Sequence, residues 1–338
     1  MSGTFEINDS TINKTVYKKG QVRGLYESYF LRANHPEKPL AFWIRYTVFS
    51  PDKKPEKAVG ELWATWFDKE TGNHVSVKEE VPAHQFCYSD DELKIRVGTA
   101  ELGAGYLNGF AQTGDNSISW GLRFRGEQLP LYLFDRNLYK TRLPKAKSLV
   151  PLPNAVFYGE MIINGQTVEI DNWQGSQNHN WGPKHTDRYA WGQVAGFANY
   201  PETFFEVATA KLKFGPVWTP NMTVMVLRHD GVDYELNTIM KSLKAHGSFQ
   251  FFEWEFFSEN DRISIGGQIM ASFEDFVCLK YNNPPGGYKH CLNSKIARCR
   301  LVLAYKDGSG RKEILETENR AAFEILTDNY SHGIPVSV

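Results

Sequence analysis

Two strand-like runs decide the fold: Val156-Phe157-Tyr158-Gly159-Glu160-Met161-Ile162-Ile163 and Gln166-Thr167-Val168-Glu169-Ile170-Asp171-Asn172-Trp173, joined by Asn164-Gly165 alone. Asn and Gly tolerate φ > 0 at both central positions of a type I′ turn, the turn whose twist matches paired antiparallel strands. The reading is a β-hairpin. Working outward, Phe42-Trp43-Ile44-Arg45-Tyr46-Thr47-Val48-Phe49 has apolar residues at every even position, with Arg45 and Thr47 on the other face. Residues 249–256 place Phe252, Trp254 and Phe256 on one face and Glu253 and Glu255 on the opposite one. Period two with one polar face predicts half-buried antiparallel strands. Shorter runs of the same kind recur at 60–68, 92–97, 105–112, 118–125, 191–197, 204–210, 222–228, 262–271 and 295–305. Turn signals separate them at 68–73, 230–231 and 307–308. No long amphipathic helix stands out; short helices are expected at 82–86 and 317–325. The expected class is all-β, built from barrels or sandwiches.

The chain has 338 residues, 41% apolar and 23% charged, which suits a packed core and excludes global disorder. Lys+Arg number 38 against Asp+Glu 39, for a net charge of −1, and no basic block points to nucleic acid. Aromatic residues reach 14%, an excess that favours β structure and aromatic-lined cavities. Residues 1–10 carry neither a basic n-region nor an apolar run, so no secretory leader is read there. No stretch approaches the ~20 apolar residues of a spanning helix, and no stable membrane insertion is expected. Cys87, Cys278, Cys291 and Cys299 lack CxxC spacing and read as reduced, mostly buried thiols of a cytoplasmic protein.

The proline-rich stretch 143–153 is the expected boundary, because three prolines cannot continue a ladder. It divides the chain into 1–146 and 154–338, with 147–153 as the linker. A second stretch, 282–288, contains Pro284-Pro285-Gly286-Gly287 and is expected to be an irregular loop over a cavity mouth. No fixed-period repeat is present, which disfavours solenoids and propellers.

Residues 173–197 concentrate chemistry. His179, His185, Asp187 and Tyr189 lie among Trp173, Trp181 and Trp191, and Asn178 and Asn180 bracket the first histidine. Proton-moving groups beside large aromatic faces suit a pocket for an apolar or unsaturated ligand. The competing reading has both histidines bonding loop backbone. The spacing of His179 and His185 matches neither HExxH nor a Cys/His zinc site, so no metal is expected. GxGxxG, Walker A and GxSxG elements are absent, and no nucleotide cofactor is expected. Glu206 sits among apolar residues on a strand. If its face is buried, desolvation raises its pKa as a general acid requires; otherwise it is an ordinary surface carboxylate. Glu27, Tyr29, Trp43, Arg45 and Trp63 form a second constellation in the N-terminal half. There Arg45 either pairs with a carboxylate or stacks on indole.

Several pieces together carry a resemblance: Glu27-Ser28-Tyr29-Phe30-Leu31-Arg32-Ala33-Asn34, Phe42-Trp43-Ile44-Arg45-Tyr46-Thr47, Glu61-Leu62-Trp63-Ala64, Gln177-Asn178-His179-Asn180-Trp181-Gly182, Lys184-His185 and Tyr189-Ala190-Trp191-Gly192. In order and spacing the chain resembles the two-domain lipocalin-like family of carotenoid (hydroxyneurosporene) hydratases, attachment-gene-type bacterial proteins and Diels–Alderase-like cyclases, with tocopherol cyclases more distant. The resemblance implies two tandem lipocalin-like antiparallel β domains with a hydrophobic pocket in or between them. It also implies cofactor-free chemistry on isoprenoid- or polyketide-like polyenes. The family's His-x-Trp maps onto His179 and Trp181. Its acidic residue has no match: Ala208 stands near the expected place and Glu206 is the nearest carboxylate.

The expected function is a cofactor-independent hydratase, cyclase or isomerase. His179, Glu206 and Asp187 are its expected catalytic groups. Asn178, Asn180, Trp181, His185, Tyr189, Trp191, Glu27, Tyr29, Trp43, Arg45 and Trp63 are its expected substrate contacts. The alternatives are a non-enzymatic binder of lipid or another hydrophobic ligand, and a carbohydrate-binding or carbohydrate-active sandwich with an open aromatic groove.

Overall fold

A computed structural model describes residues 12–89 and 91–338; the 1–10 stretch read above for a leader lies outside them. The first sheet is built from β1 (Leu25–Asn34), β2 (Leu40–Ser50), β3 (Val59–Asp68), β4 (Val75–Pro82), β5 (Phe86–Tyr88), β6 (Lys94–Val97), β7 (Ala100–Gly103), β8 (Tyr106–Thr113), β9 (Asn116–Arg125), β10 (Leu131–Tyr132), β11 (Lys147–Ile163) and β12 (Gln166–Gly182). Its order is β4-β3-β2-β1-β12-β11-β9-β8-β7-β6-β5, with β10 on β11. The sheet rolls until β4 meets β8, where the Lys78 amide donates to Thr113 Oγ1 (2.8 Å) and the Gln112 amide to Glu79 Oε1 (3.1 Å). The result is a nearly closed barrel.

The second half holds β13 (Arg188–Phe197), β14 (Tyr200–Lys211), β15 (Lys213–Phe214), β16 (Val217–Trp218), β17 (Met222–His229), β18 (Val232–Leu236), α1 (Ile239–Lys244), β19 (His246–Gln250), β20 (Glu253–Glu259), β21 (Ile263–Met270), β22 (Val277–Asn282), β23 (Tyr288–Tyr305) and β24 (Lys312–Thr327). The second sheet runs β18-β17-β14-β13-β24-β23-β21-β20-β19 with β22 on β23, while β15 and β16 form a separate hairpin. Both sheets are antiparallel, and the all-β expectation holds. No described helix is long and apolar enough to cross a membrane.

Each sheet curls around its own apolar core. Tyr29, Leu31, Phe42, Ile44, Tyr46, Trp120 and Trp173 fill the first; Phe205, Val207, Met225, Trp254, Ile269 and Phe323 fill the second. The outer face of β1–β3 then packs on the outer face of β13, β22, β23 and β24 through Phe30, Trp43, Trp63, Trp191, Tyr281 and Leu326. Strands at this junction are therefore buried on both faces. For β2 this corrects the half-buried expectation: Phe42, Ile44 and Tyr46 face the first core, and Trp43 the second sheet. Burying an indole-sized side chain contributes a few kcal/mol, so the junction is a third core in its own right.

Three further expectations are corrected. Residues 147–153 are not a linker but the first part of β11, and the chain leaves the first sheet only after Gly182. Pro151 and Pro153 are tolerated because the β11–β12 ladder shifts register between Leu149, Leu152 and Ala155, and β9 joins only from Val156. Residues 317–325 lie in β24, not a helix, since ladders with β13 and β23 outweigh the helix propensity of their Glu and Ala. Residues 249–256 are not one strand: the chain reverses at Phe251-Phe252, with Phe252 at φ 77°, so that β19 pairs with β20. The founding hairpin does form, with Asn164 at φ 49° and Gly165 at φ 84°, as a type I′ turn requires. The 82–86 helix is a single 3-10 turn, Ala83–Gln85.

Candidate functional site between the two sheets

Strand alternation sorts the candidate residues onto two sides of the first sheet. On β1 and β12 the odd positions face the first core. Glu27, Tyr29, His179 and Trp181 meet there. His179 Nε2–H donates to Glu27 Oε1 (2.8 Å), and its ring stacks on Tyr29 (4.1 Å) and lies 4.6 Å from Trp181. Glu27 also accepts the Val16 (2.8 Å) and Tyr17 (2.7 Å) amides, and the Tyr29 hydroxyl donates to the Asn13 carbonyl (3.0 Å). This face is a polar latch that holds the segment before β1 against the sheet, with His179 Nδ1 buried and unpartnered.

The even positions face the second sheet, and they do two different things. Deeper in, they build a saturated network. Arg32 donates through Nε to Gln193 Oε1 (2.9 Å), through Nη2 to the Gln193 carbonyl (3.1 Å) and through Nη1 to Asn34 Oδ1 (2.9 Å). Ser176 donates to Gln193 Oε1 (2.7 Å), Gln193 donates to Asn178 Oδ1 (2.8 Å), and Asn34 donates to the Lys295 carbonyl (2.7 Å). Burial lowers the Arg32 pKa to about 9, with the charges of Glu206 and Glu324 opposing the drop. Arg32 remains a cation at neutral pH. Asn178, expected at the ligand, belongs to this network.

Farther along the same strands the sheets part around a cavity of about 300 Å³. Tyr26, Ser28 and Phe30 of β1, Trp43 and Arg45 of β2 and Asn180 of β12 form one wall. Tyr189 and Trp191 of β13, Ala208 and Ala210 of β14, and Met222 and Val224 of β17 form the other, with Tyr281 and Glu324 between. The crossing 133–148 roofs it through Leu133, Phe134, Leu138, Leu143, Ala146, Lys147 and Ser148. Most of the lining is apolar, with a few fixed polar groups, the usual make-up of a small-molecule site.

Those polar groups are individually placed. Arg45 donates through Nε (2.9 Å) and Nη2 (2.6 Å) to Ser28 Oγ and lies 4.5 Å from the Tyr281 ring. His185 stacks on Tyr26 (4.0 Å), and its Nε2–H donates to the Asn282 carbonyl (3.2 Å). Its amide donates to Asn283 Oδ1 (3.0 Å). The 282–288 loop supplies no lining residue and does not cover the cavity as expected; Asn282 and Asn283 hold His185, which does line it. Burial, aided by Arg45, drops the His185 pKa to about 3, so the ring is neutral and Nδ1 is its bare nitrogen. Glu324 accepts Lys295 Nζ (2.8 Å) and Asn293 Nδ2 (3.2 Å). Two polar atoms on lining residues are buried without any partner: Asn180 Oδ1 and Trp43 Nε1.

Glu206 lies one strand repeat from Ala208 on the same face of β14. Trp191 Nε1 donates to its Oε1 (2.8 Å), Ser148 Oγ donates to the same oxygen (3.4 Å), and Oε2 has no partner. Both donors line the cavity, and the carboxyl stands just behind them. Burial raises its pKa to about 7, against the pull of the two hydrogen bonds and of Arg32. The condition set for Glu206, a buried face, is met.

Three expectations move. His179 lies across the sheet from the cavity, together with Glu27, Tyr29 and Trp181, because it is odd-numbered on β12 while Asn180 is even. Asp187 is a loop tie: it accepts Lys184 Nζ (2.6 Å) and the Lys213 amide (3.0 Å). Burial alone would raise its pKa, but these donors and Lys289 hold it below the ordinary carboxylate value, the wrong direction for an acid. Trp63 is buried at the junction, donating to Glu61 Oε2 (3.2 Å) beneath Lys78 (4.3 Å), and does not line the cavity.

Among the polar lining residues absent from the sequence-based set are Tyr26, Ser28, Ser148, Tyr281 and Glu324. The signal for the first two was present: Tyr26, Ser28 and Arg32 alternate with the apolar series of β1.

A separate cluster, Cys278, His290 and His332, has ligand-type atoms within 4.8 Å of one another. The Ile334 amide donates to His332 Nδ1 (3.1 Å), so the ring proton sits on Nε2, which faces His290 Nδ1 at 2.8 Å. The nitrogen turned toward the cluster is thus a donor, which does not suit metal ligation.

No family model matches the chain. An uncharacterized protein of Mycobacterium tuberculosis, found in two strains, is 22% identical over 325 residues, covering 93% of each chain. Among solved structures, kievitone hydratase from Nectria haematococca is similar at a TM-score of 0.58 and 10% identity, covering 94% of this chain and 93% of that one. A Nitrosomonas europaea protein provisionally assigned as AttH is similar at 0.57 and 10% identity, covering 90% and 92%. The shared property is the fold, two lipocalin-like β units along nearly the whole chain.

Proposed function

We propose that the chain is a cofactor-independent enzyme of the hydratase, cyclase or isomerase type, acting on an apolar unsaturated ligand held between the two sheets. The observation that carries this reading is Glu206, a buried carboxyl with a pKa of about 7 whose two hydrogen-bond donors are cavity walls. A carboxyl kept half-protonated near neutral pH is matched to proton transfer. Its proton passes to an alkene carbon through the Ser148 hydroxyl: the π bond becomes a C–H bond, and the positive charge falls on the more substituted carbon. The faces of Trp191, Trp43 and Tyr189 stabilise that charge by cation–π attraction. Water then adds and returns a proton (hydration), a second alkene of the same ligand attacks and the new cation loses a neighbouring C–H proton to Glu206 (cyclisation), or a C–H proton next to the first cation returns to Glu206 (isomerisation).

The unpartnered Asn180 Oδ1 and Trp43 Nε1 narrow the ligand further. One accepts and the other donates, which suits a hydroxyl at one end of an otherwise apolar molecule. The structural neighbour named a hydratase agrees in reaction class. Incubation with an allylic isoprenoid alcohol such as farnesol in D2O tests the reading: deuterium enters the recovered alcohol or its product with wild-type protein and not with Glu206→Gln. Tight binding with no deuterium in either protein would leave a hydrophobic-ligand carrier, the second reading. The position of the Glu206 carboxyl behind Trp191 and Ser148, rather than in the wall itself, is what favours that alternative.

A further inference from the structure

The mouth of the cavity has a composition unlike the rest of the molecule. Three segments border it: the end of the roof, the β15–β16 hairpin with its flanks, and α1. Each supplies a lining residue that is also exposed: Leu143 at 51%, Phe214 at 54% and Ile239 at 58%. Beside these, and not in the lining, Val217, Trp218, Met240 and Leu243 are between 39% and 65% exposed. Isolated exposed apolar residues are ordinary, but a group of this size around one opening marks an interaction surface.

Charge says what kind. Segments 136–148, 211–222 and 238–246 together contain nine Lys and Arg and no Asp or Glu, in a chain with 38 basic against 39 acidic residues. Lys147 turns inward to the Leu138 carbonyl. Arg136, Lys140, Arg142, Lys145, Lys213 and Lys244 are exposed, and Lys211 and Lys241 are partly so. Indole and aliphatic side chains among unneutralised cations match an anionic lipid surface, with apolar groups entering the acyl boundary and ammonium and guanidinium groups meeting headgroup phosphates.

We infer that this rim docks reversibly on anionic membranes, setting the cavity mouth against the bilayer so that an apolar ligand passes directly between lipid and protein. The inference rests on reading the cavity as a site for an apolar ligand, but the docking is measured without any turnover.

The test is co-sedimentation of the full chain with vesicles of phosphatidylcholine containing phosphatidylglycerol, against vesicles of phosphatidylcholine alone. Binding to the anionic vesicles is expected, weakening as salt is raised. The doubles Lys241→Glu/Lys244→Glu and Trp218→Ser/Met240→Ser are each expected to lose on the order of tenfold or more in vesicle affinity. Both should keep the wild-type thermal midpoint, since all four positions lie at the surface. Glu206→Gln should bind vesicles like wild type, which separates this inference from the catalytic one. No binding to anionic vesicles at low salt, equal binding to neutral vesicles, or undiminished binding by either double variant would overturn it. The rim would then be a surface for a protein partner.

Discussion

The two faces of β1 and β12 are a matched pair. They share backbone, burial and hydrogen-bonded ladder, yet one is packed shut and the other opens on a cavity. On the inner face Glu27 accepts two amides and an imidazole, and the ring of His179 is sandwiched between Tyr29 and Trp181, with its Nδ1 left unpartnered among packed side chains. On the outer face Asn180 and its neighbour across the cavity wall, Trp43, keep polar atoms without partners, and a carboxyl with a raised pKa stands nearby. Buried polar groups are normally satisfied, so exceptions clustered at a cavity mark where an external molecule completes the bonding. The packed face is read as architecture, and the face on the cavity as the proposed site.

Breaking the packed face should cost the most. Glu27→Ala strips the partner from His179 and from two backbone amides in a buried setting and is expected to destabilise by about 3–5 kcal/mol in denaturant unfolding. His179→Ala should fall in the same direction, while ligand affinity of the fraction that stays folded is unchanged. A His179→Ala protein of normal stability without ligand binding would reverse the assignment of the two faces.

The next largest effect comes from Glu206. Its folded pKa of about 7 exceeds the ordinary 4.5, so the carboxyl favours folding relative to its ionised state at low pH and loses that advantage as pH rises. Between pH 4.5 and 7 the loss grows to on the order of 3 kcal/mol. Glu206→Gln should therefore gain stability relative to wild type as pH goes from 5 to 8, read as diverging unfolding midpoints. Activity in the wild type should decline above pH 7 as the acid ionises. Parallel stability curves would show that the carboxyl is not desolvated.

His185 has the opposite sign. Its depressed pKa means that its neutral form is the one accommodated, so its contribution is present above pH 6.5 and is lost as pH falls toward 3. NMR of the ring should show no titration between pH 5 and 8. Asn180→Leu should lower affinity for a hydroxyl-bearing ligand about tenfold with little loss of stability, because it removes an atom that the folded chain leaves unpaired. Asp187→Asn should do least: it weakens one partly exposed loop tie, costs under about 1 kcal/mol, and leaves any pH–rate profile unmoved.

Much of this architecture was legible in the residues. Asn164-Gly165 is a turn for a local steric reason, and the alternation in 42–49 is a strand for a local geometric one. The failures were equally local. Pro151 and Pro153 looked like a break because a proline cannot donate to a ladder, yet a register shift removes the need. Residues 249–256 looked like one strand because 252–256 alone keep period two; the two-residue turn inverts the phase, so that Phe249 pairs with Trp254 and Gln250 with Glu253.

Asn180, Tyr189 and Trp191 line the cavity and His179 does not, although all four come from one short stretch. Proximity in sequence marks a chemically rich segment; which face of the sheet each side chain takes depends on where the strand enters its ladder. By itself the sequence determined strands, turns and the all-β class, since those follow from sterics and burial period within a few residues. Only the tertiary structure decided which face of β1 and β12 meets the second sheet, and hence which polar groups are satisfied and which await a ligand. That outcome depends on contacts between residues more than a hundred positions apart, such as Arg32 with Gln193 and Asn34 with Lys295.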